Sequence, residues 1–427
     1  VGDVLNYYID SQFKENLLIH ATEKRNVMAI AAALGYKPKM SIPSQVTLDV
    51  FQLVPATGTG ANVKPDYNYA LKLEAGMEAF SPANNVTFIT QTVVDFSVDD
   101  FTSPREVSVY SLDGATPVYY LLKKQVKAIS AKQKTVDFPI GQVERFKKLL
   151  LQDTIDPIVG IQSIVDSDGN TWYEVPYLAQ DTIFEQLTNT AYNDPDAAVY
   201  SAEAPNLLKL KRVPRRFITR VTESGLEIQF GSGASSSADE EILATPENIG
   251  LSLPTGKEDT DASIDPSNPL ITTAYGIAPS NTTLTVTYLV GGGVTSNVPS
   301  NTITVINNVT TNQTNLPPST INLNNAVIQS LAINNATAAQ GGRSAETIEE
   351  IRQNALAQFT SQQRAVTRED YIIRAYAMPN TYGSVAKVFI TPDEQNNIGT
   401  AEVNDTVANP LALNMYTLGS VSYTHLT

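Results

Sequence analysis

The side chains that most often carry chemistry are scarce in this chain. Histidine occurs only at His20 and His425, and cysteine not at all. A Ser-His-Asp arrangement, a thiolate nucleophile, a disulfide framework and a His- or Cys-ligated metal site therefore have almost no material. His20 stands between apolar Leu18 and Ala21 and reads as a partly buried structural or interface residue. Carboxylates are plentiful, with pairs at Asp99–Asp100 and Glu240–Glu241. A glycosidase needs a defined separation of two carboxyls in space, and these neighbours read more simply as solvated turns. DSDGN, from Asp166 to Asn170, begins like a calcium loop with oxygens at alternate positions. Its glycine, Gly169, comes too early for that loop and Tyr177 stands where a bidentate Glu belongs, so a hairpin turn is expected. The densest positive cluster, KLKRVPRRFITR, holds Lys209, Lys211, Arg212, Arg215, Arg216 and Arg220 without an acid. Leu210, Val213, Phe217 and Ile218 between them fit β structure with one buried face, and no aromatic series for base stacking accompanies the charges. A solvated or protein-docking stripe is expected there. FGSGASS at Phe230 to Ser236 lacks the Lys-Ser/Thr of a phosphate loop and reads as a turn. No catalytic residue, metal site, cofactor or small-molecule substrate emerges from these patterns.

The global balance points the same way. The chain has 427 residues, 29 Lys+Arg against 44 Asp+Glu, and a formal charge of −15. Nucleic acid is a poor partner for such a chain, because releasing counterions from phosphates requires a dominant basic face. With 42% hydrophobic and 17% charged residues it can bury the cores of several domains. No apolar run approaches the roughly 18–20 residues of a membrane span, and VGDVLNYYID has neither a basic start nor an apolar leader. A soluble, unsecreted chain whose true start precedes Val1 is expected.

The elements follow from periodicity, and the fold class expected is multidomain α+β. Over 1–43, Leu5, Tyr8, Leu17, Leu18, Val27 and Leu34 recur at helical spacing, giving two amphipathic helices or one kinked helix that ends at Leu34 or Gly35. Over 44–240 the period falls to two, in runs such as QVTLDVFQLV and VYYLLKKQVKAIS, with Tyr67 to Leu73 as a further strand. A short helix at Val143 to Leu151 and a hairpin through Trp172 and Tyr173 are also expected. The 241–340 segment is β-rich and charge-poor. From Pro266 to Gly342 it has no Asp, Glu, Lys or Arg, with strands expected at Thr282–Val290 and Asn301–Ile306. So long a charge-free surface is undefended against edge pairing, so cover by another chain or domain is expected; the competing reading is a solvated linker over Asn307 to Ala339. Over 341–420, Ser344 is placed to cap a helix with Glu346, Glu349 and Glu350 in its first turns and Ile348, Ile351, Ala355 and Phe359 on its apolar face. Thr367 and Asp370 are spaced to cap a second helix, and two strands of a small α+β unit follow.

The segment GGRSAETIEEIRQNALAQFTSQQRAVTREDYIIRAYAMP, from Gly341 to Pro379, resembles the signature of the baseplate J-like family of contractile-tailed phages. The residues that carry the likeness are Gly341, Gly342, Arg343, Ser344, Ile351, Arg352, Phe359, Arg364, Val366, Thr367, Asp370 and Tyr371. Within it the glycines would release the incoming chain, and Arg352 and Arg364 would pair with acids on a neighbouring element. NLLIHATEKRNVMAIAAALGYKPK and DSDGNTWYEVPYLAQDT, with the RRF and QFGSG that follow, are similar to the larger wedge form of that family. The resemblance implies a non-enzymatic virion protein of the tail baseplate, made in the host cytoplasm. It would associate with itself, as a homodimer within a ring, and with other wedge proteins through N-terminal helices, and its C-terminal domains would meet in a ring around the tail hub that opens on contraction. VSYTHLT, at 421–427, has the form of a translated sequencing adapter, which would leave the last α+β unit cut short. Two other readings stay open: a β-rich receptor-binding adhesin or fibre-like tail protein, suggested by the many strands and the Asn/Thr-rich run, and a tail-associated glycan hydrolase.

Overall fold

The computed structural model describes residues 2–99, 103–196, 198, 206–234, 242–243, 271–272, 275–312, 321–362, 364–382, 385–392 and 413–419. Asp100, the Glu240–Glu241 pair, His425 and the 421–427 segment lie outside the described residues. Helices α1 (Gly2–Glu15) and α2 (Lys24–Ala33) lead into strands β1 (Gln45–Thr57), β2 (Glu78–Ser81), β3 (Val86–Thr90), β4 (Glu106–Asp113) and β5 (Thr116–Ile129). Then come β6 (Lys132–Ile140), β7 (Lys148–Leu151), β8 (Ile158–Asp166), β9 (Thr171–Glu174), β10 (Thr182–Thr188), β11 (Asn206–Arg212), β12 (Arg216–Thr222) and β13 (Gly225–Phe230). The rest are β14 (Thr282–Val290), β15 (Val305–Asn308), α3 (Ile321–Gln329), β16 (Ala332–Asn334), α4 (Ile348–Ser361), α5 (Arg368–Tyr376), β17 (Val385–Pro392) and β18 (Leu413–Gly419). The described residues thus contain both helices and many strands, with β structure predominant.

The chain divides into two units that interrupt each other in sequence: Val1–Lys134, Asp153–Gln162 and Tyr288–Thr427 form one, and Thr135–Gln152 with Ser163–Thr287 the other. This differs from the linear order expected. The 44–240 and 241–340 segments are each split between units, whereas 1–43 and 341–420 fall in the same one. Main-chain pairing is the reason, because Ile42 bridges Arg343 and Gln45 bridges Gln340, both antiparallel.

In the first unit, β1 and β5 pair antiparallel from Gln45↔Ile129 to Pro55↔Tyr119. β3, β2 and β15 extend the sheet beyond β5, β16 pairs with β1, and β4 pairs with β5. Alternation buries Leu48, Val50 and Val54 of β1 with Leu122, Phe88, Phe96 and Ile303 in one core; fully burying each such side chain contributes about 1.5–3 kcal/mol. Two local expectations fail here. Tyr67 to Leu73 is a 3-10 turn (Tyr67–Tyr69) followed by a two-residue strand, because the Asp66 carboxylate accepts from the Asn68 N–H and curls the chain. Of Asn301–Ile306 only the end is strand, since Asn301 adopts φ 58° and the Thr302 and Ile303 N–H groups are taken by the Asn335 side chain.

The second unit holds a sheet in the order β7-β13-β12-β9-β8-β14-β6. Val143 to Leu151 is not a helix: Phe146 has φ 55°, a left-handed conformation that a helix cannot contain, and Lys148–Leu151 pairs with β13. The expected hairpin is present, with Trp172 opposite Ile164 and edge-on to Phe230 at 5.2 Å between ring centroids. Its turn is organised by Asp166, which accepts from the Asn170 N–H at 2.8 Å and the Trp172 indole at 3.2 Å. Burial opposes ionisation of Asp166, but these bonds prevail and hold its pKa below the usual carboxylate range. That carboxylate is occupied by donors from its own turn.

The basic cluster is divided between this sheet and a separate two-stranded ribbon. Arg216 is buried and donates to the Leu178 and Val213 carbonyls, Lys211 pairs with Glu185 at 2.7 Å, and Arg215 lies 3.8 Å from Asp166. Val213 and Phe217 are buried as expected, but Leu210 is 57% exposed because β10 and β11 form a separate two-stranded ribbon.

The described part of the charge-free segment is covered in part within the chain, although Val294 and Tyr275 stay exposed. β14 is an internal strand with Leu284 and Val286 fully buried. The solvated-linker reading fails for its described part, since Val327 of α3 and Ile333 of β16 lie in the first unit's core. Amides replace charges here. Asn335, fully buried, accepts from the Thr302 and Ile303 N–H groups at 2.9 Å and donates to the Pro299 and Thr337 carbonyls. Asn335→Ala removes the partner of four main-chain groups, of which the Ile303 N–H is buried, and is expected to lower stability by about 1–3 kcal/mol, measured by urea denaturation; a loss under about 0.5 kcal/mol would mean water takes over the amide's role.

Candidate functional site

Of the residues singled out by the sequence, Gly341, Gly342 and Arg343 lie, within the first unit, where three distant stretches of main chain meet. The 291–297 turn and the 340–343 stretch both lie against residues 41–45. Gly293 donates to the Ile42 carbonyl, and Ile42 and Arg343 exchange main-chain bonds at 3.0–3.1 Å. A Cβ on Gly342 would come within 2.4 Å of the Gly293 oxygen and 2.3 Å of Ser296 Oγ, and one on Gly292 within 2.6 Å of Ser41 Oγ. Gly341 has φ 95°. The double glycine therefore permits close approach as well as release of the chain. Asn297 grips Gly342 from both sides, accepting from its N–H at 2.8 Å and donating to its carbonyl at 2.9 Å. Ser44 Oγ donates to the Ser296 carbonyl at 2.6 Å.

Behind this contact lies a buried polar cluster that the sequence did not disclose. Tyr36 donates its hydroxyl to Glu346 Oε1 at 2.7 Å, and the Lys39 N–H donates to Glu346 Oε2 at 3.0 Å. Asn354 Nδ2 donates to both Glu346 and Tyr36. Burial first, and then the charge and hydrogen bond of Glu346, push the Tyr36 phenol well above its usual range. Burial likewise lowers the Lys39 ammonium, against the pull of Glu346 and with the repulsion of Arg343. That ammonium donates to the carbonyl of Tyr376 at 2.9 Å, at the C-terminal end of α5 where the helix dipole favours a cation.

Glu346 is thus not a first-turn helix residue, and Ser344 is exposed and does not cap. Thr347 caps α4 in a full capping box with Glu350, because the chain must first turn Glu346 inward. The second cap is as expected: Thr367 and Asp370 form a capping box on α5. Main-chain bonds from Thr347 lower the pKa of Glu350, and those from Thr367 and Val366 lower that of Asp370. Ile351 is buried with Ala355, whereas Phe359 is 61% and Val366 74% exposed, so the apolar face of α4 is shorter than expected. Tyr371 is half-buried.

Arg352 does not pair with an acid on a neighbouring element. Its guanidinium donates to the carbonyls of Leu18 and Ala21, each at 2.8 Å, and meets Glu349 of its own helix. Arg364 is exposed, and its charge acts on Asp370 of α5.

The N-terminal residues divide sharply. Leu18 and Val27 are buried and Leu34 is half-buried, α2 ending as expected with Gly35 at φ 84°. Tyr8 and Leu17 are exposed, and the Leu5 side chain lies outside the described residues. His20 is exposed in the turn, not partly buried. Glu15 organises that turn, accepting from Thr22 Oγ1 at 2.6 Å and Asn26 Nδ2 at 2.9 Å, bonds that hold its pKa at about 2.

Among the described residues, no group of three or more His, Cys, Asp or Glu side chains is placed to hold a metal ion. No described helix is long and apolar enough to cross a membrane.

Gly342→Ala is expected to cost about 3 kcal/mol or more in thermal or urea unfolding, because the opposing atoms are backbone as well as hydroxyl; a neutral result would show that the three stretches can separate without loss. Tyr36 supplies a pH test. Its folded pKa lies above the unfolded value near about 10, so its contribution is complete below that pH and is lost as pH rises toward the folded value. Tyr36→Phe should flatten the alkaline fall in stability, and parallel parent and variant curves above pH ~10 would contradict this.

No protein-family model matches the chain, and no curated protein matches it.

Proposed function

We propose that this chain is a structural component of a contractile phage tail, a baseplate wedge subunit that assembles around the hub and shares in its rearrangement on contraction. In this reading the protein is not an enzyme, its place is the virion baseplate, and its partners are further copies of itself and other wedge proteins. The Gly341–Pro379 helices with β17 and β18 then correspond to the baseplate J-like unit. Their motif residues engage in main-chain docking and helix capping, roles suited to a scaffold.

The observation that carries the assembly reading is α1. Ile9 and Phe13, one helical turn apart, are 63% and 67% exposed, and Tyr8 beside them 63%. None of the described α1 side chains is buried. An amphipathic helix gains most of its stability by covering its apolar face, so this face calls for a partner.

A second reading, a receptor-binding or fibre-like tail protein, is favoured by the β10–β11 ribbon, whose connecting segment carries Tyr192 at 96% exposure. Light scattering on the eluting chain, alone and mixed with a candidate wedge partner, separates the two. The wedge reading expects concentration-dependent self-association or a defined complex, lost on Ile9→Asp with Phe13→Asp. A monomer indifferent to the partner that instead binds host cells would replace it with the adhesin reading.

A further inference from the structure

The C-terminal part of the first unit consists of two pieces that are held in different ways. α4 is fixed by buried groups. Ile351, Ala355, Gln358 and Ser361 are buried along it, Arg352 reaches the Leu18 and Ala21 carbonyls, and Glu346 ahead of it is bonded to Tyr36. Gln362 leaves that helix with φ 49°, and Arg364, Ala365 and Val366 after it are exposed. α5 then packs on β17, which pairs with β18; among the described residues of this lobe, Ala375, Asn380 and Ile390 are the buried ones. A strap at 376–382, between α5 and β17, ties the lobe to the rest of the unit. The Lys39 ammonium donates to the Tyr376 carbonyl at 2.9 Å, Asn380 Nδ2 to the Ser41 carbonyl at 2.6 Å, and Gln91 Nε2 to the Thr381 carbonyl at 3.0 Å. The Thr381 methyl lies against Gly160, 2.9 Å from where a Cβ would stand.

We propose that this strap is a latch and the α5–β17–β18 lobe a hinged arm, which swings as one body about the 364–366 stretch when the latch lets go. The forces on the two sides are closely matched. Each latch bond joins a side chain to a main-chain carbonyl, and water replaces such a bond at modest net cost, because the released groups are solvated. Burial adds little, since Tyr376, Met378 and Pro379 of the strap are exposed. The docked arrangement also carries a penalty of its own. Asn380 Oδ1 is buried without a hydrogen-bond partner among the described residues, and release would hydrate it. Freeing α4 as well would expose Ile351 and Ala355 and strip Glu346 of its partners, so the boundary between the fixed and the moving part falls between α4 and α5. A region with few buried apolar contacts opens before the core it rests on. The motion lies within one chain and does not rest on the assembly reading.

The chain has no cysteine, so pairs of spin-labelled cysteines in the full chain report the arm's position as distances between labels. Glu369→Cys on α5 with Ile155→Cys follows the arm, and Phe359→Cys on α4 with Ile155→Cys is the fixed reference; all three positions are exposed. The first pair is expected to show one dominant distance and a minor second one. Gln91→Ala removes a latch bond, and Gly160→Ala presses on a threonine that is stiff at χ1 and cannot simply turn away. Each should raise the second population about fivefold. Thr381→Ser, which removes the opposing methyl, should return Gly160→Ala to the parent level. Gln91 and Gly160 both lie outside the arm, and circular dichroism together with an unchanged reference distance verifies that the rest of the fold is kept. An arm distance that stays single in every variant overturns the proposal. A reference distance that shifts in step with the arm overturns it too, because α4 would then move as well, and so does a Gly160→Ala effect that Thr381→Ser leaves in place.

Discussion

Close approach of three main chains at Gly292 and Gly342 is the constraint on which the first unit depends. With carbonyl and hydroxyl oxygens under 3 Å from where a Cβ would sit, no side chain can stand between residues 41–45, the 291–297 turn and the 340–343 stretch. The contact is therefore made by backbone hydrogen bonds and by short polar side chains, Ser41, Ser44, Ser296 and Asn297, that reach only to nearby carbonyls and N–H groups. It fixes where the chain enters β1 and where it leaves for α4, and so brings α2 against α4 and places Glu346 beside Tyr36.

The long stretch without charge is a second expression of the same economy. A buried charge requires a partner or a large desolvation cost, whereas a buried amide can be satisfied by peptide groups alone. Asn335 and Asn297 do this on two turns, each bonding main-chain donors and acceptors together. Gln52 does the same within β1, donating to the Tyr69 carbonyl and accepting from the Leu71 N–H. Asparagine in this region reads in sequence as low complexity, yet in the described residues it replaces missing regular structure with side-chain to main-chain bonding.

What was legible in the sequence is what local physics decides. Strand alternation in β1, β5 and β14, the DSDGN turn, Gly35 after α2, and Thr367 with Asp370 before α5 were all visible, because each signal lies within a few residues of its effect. The misreadings arose where a distant group outweighed a local preference. Ser344 is a good cap in isolation, but Glu346 is drawn to Tyr36, 310 positions away, and the helix starts only after it. Val143 to Leu151 has acceptable helix spacing until Phe146 turns left-handed and the segment joins β13. Arg352 could be recognised as a residue with work to do, but its partners are carbonyls, which leave no trace in sequence.

The interleaving of the two units sets an order in time. A ribosome adding about 5–20 residues each second needs roughly 15–60 s to travel from Tyr36 to Glu346, which are separated by 310 positions. Within that interval β1 and β5 are made and leave the exit tunnel before the turn and glycines that close their unit have been made. The second unit, 135–152 with 163–287, is synthesised entirely within the wait. The nascent protein thus holds an unfinished sheet with an open edge for up to about half of its synthesis.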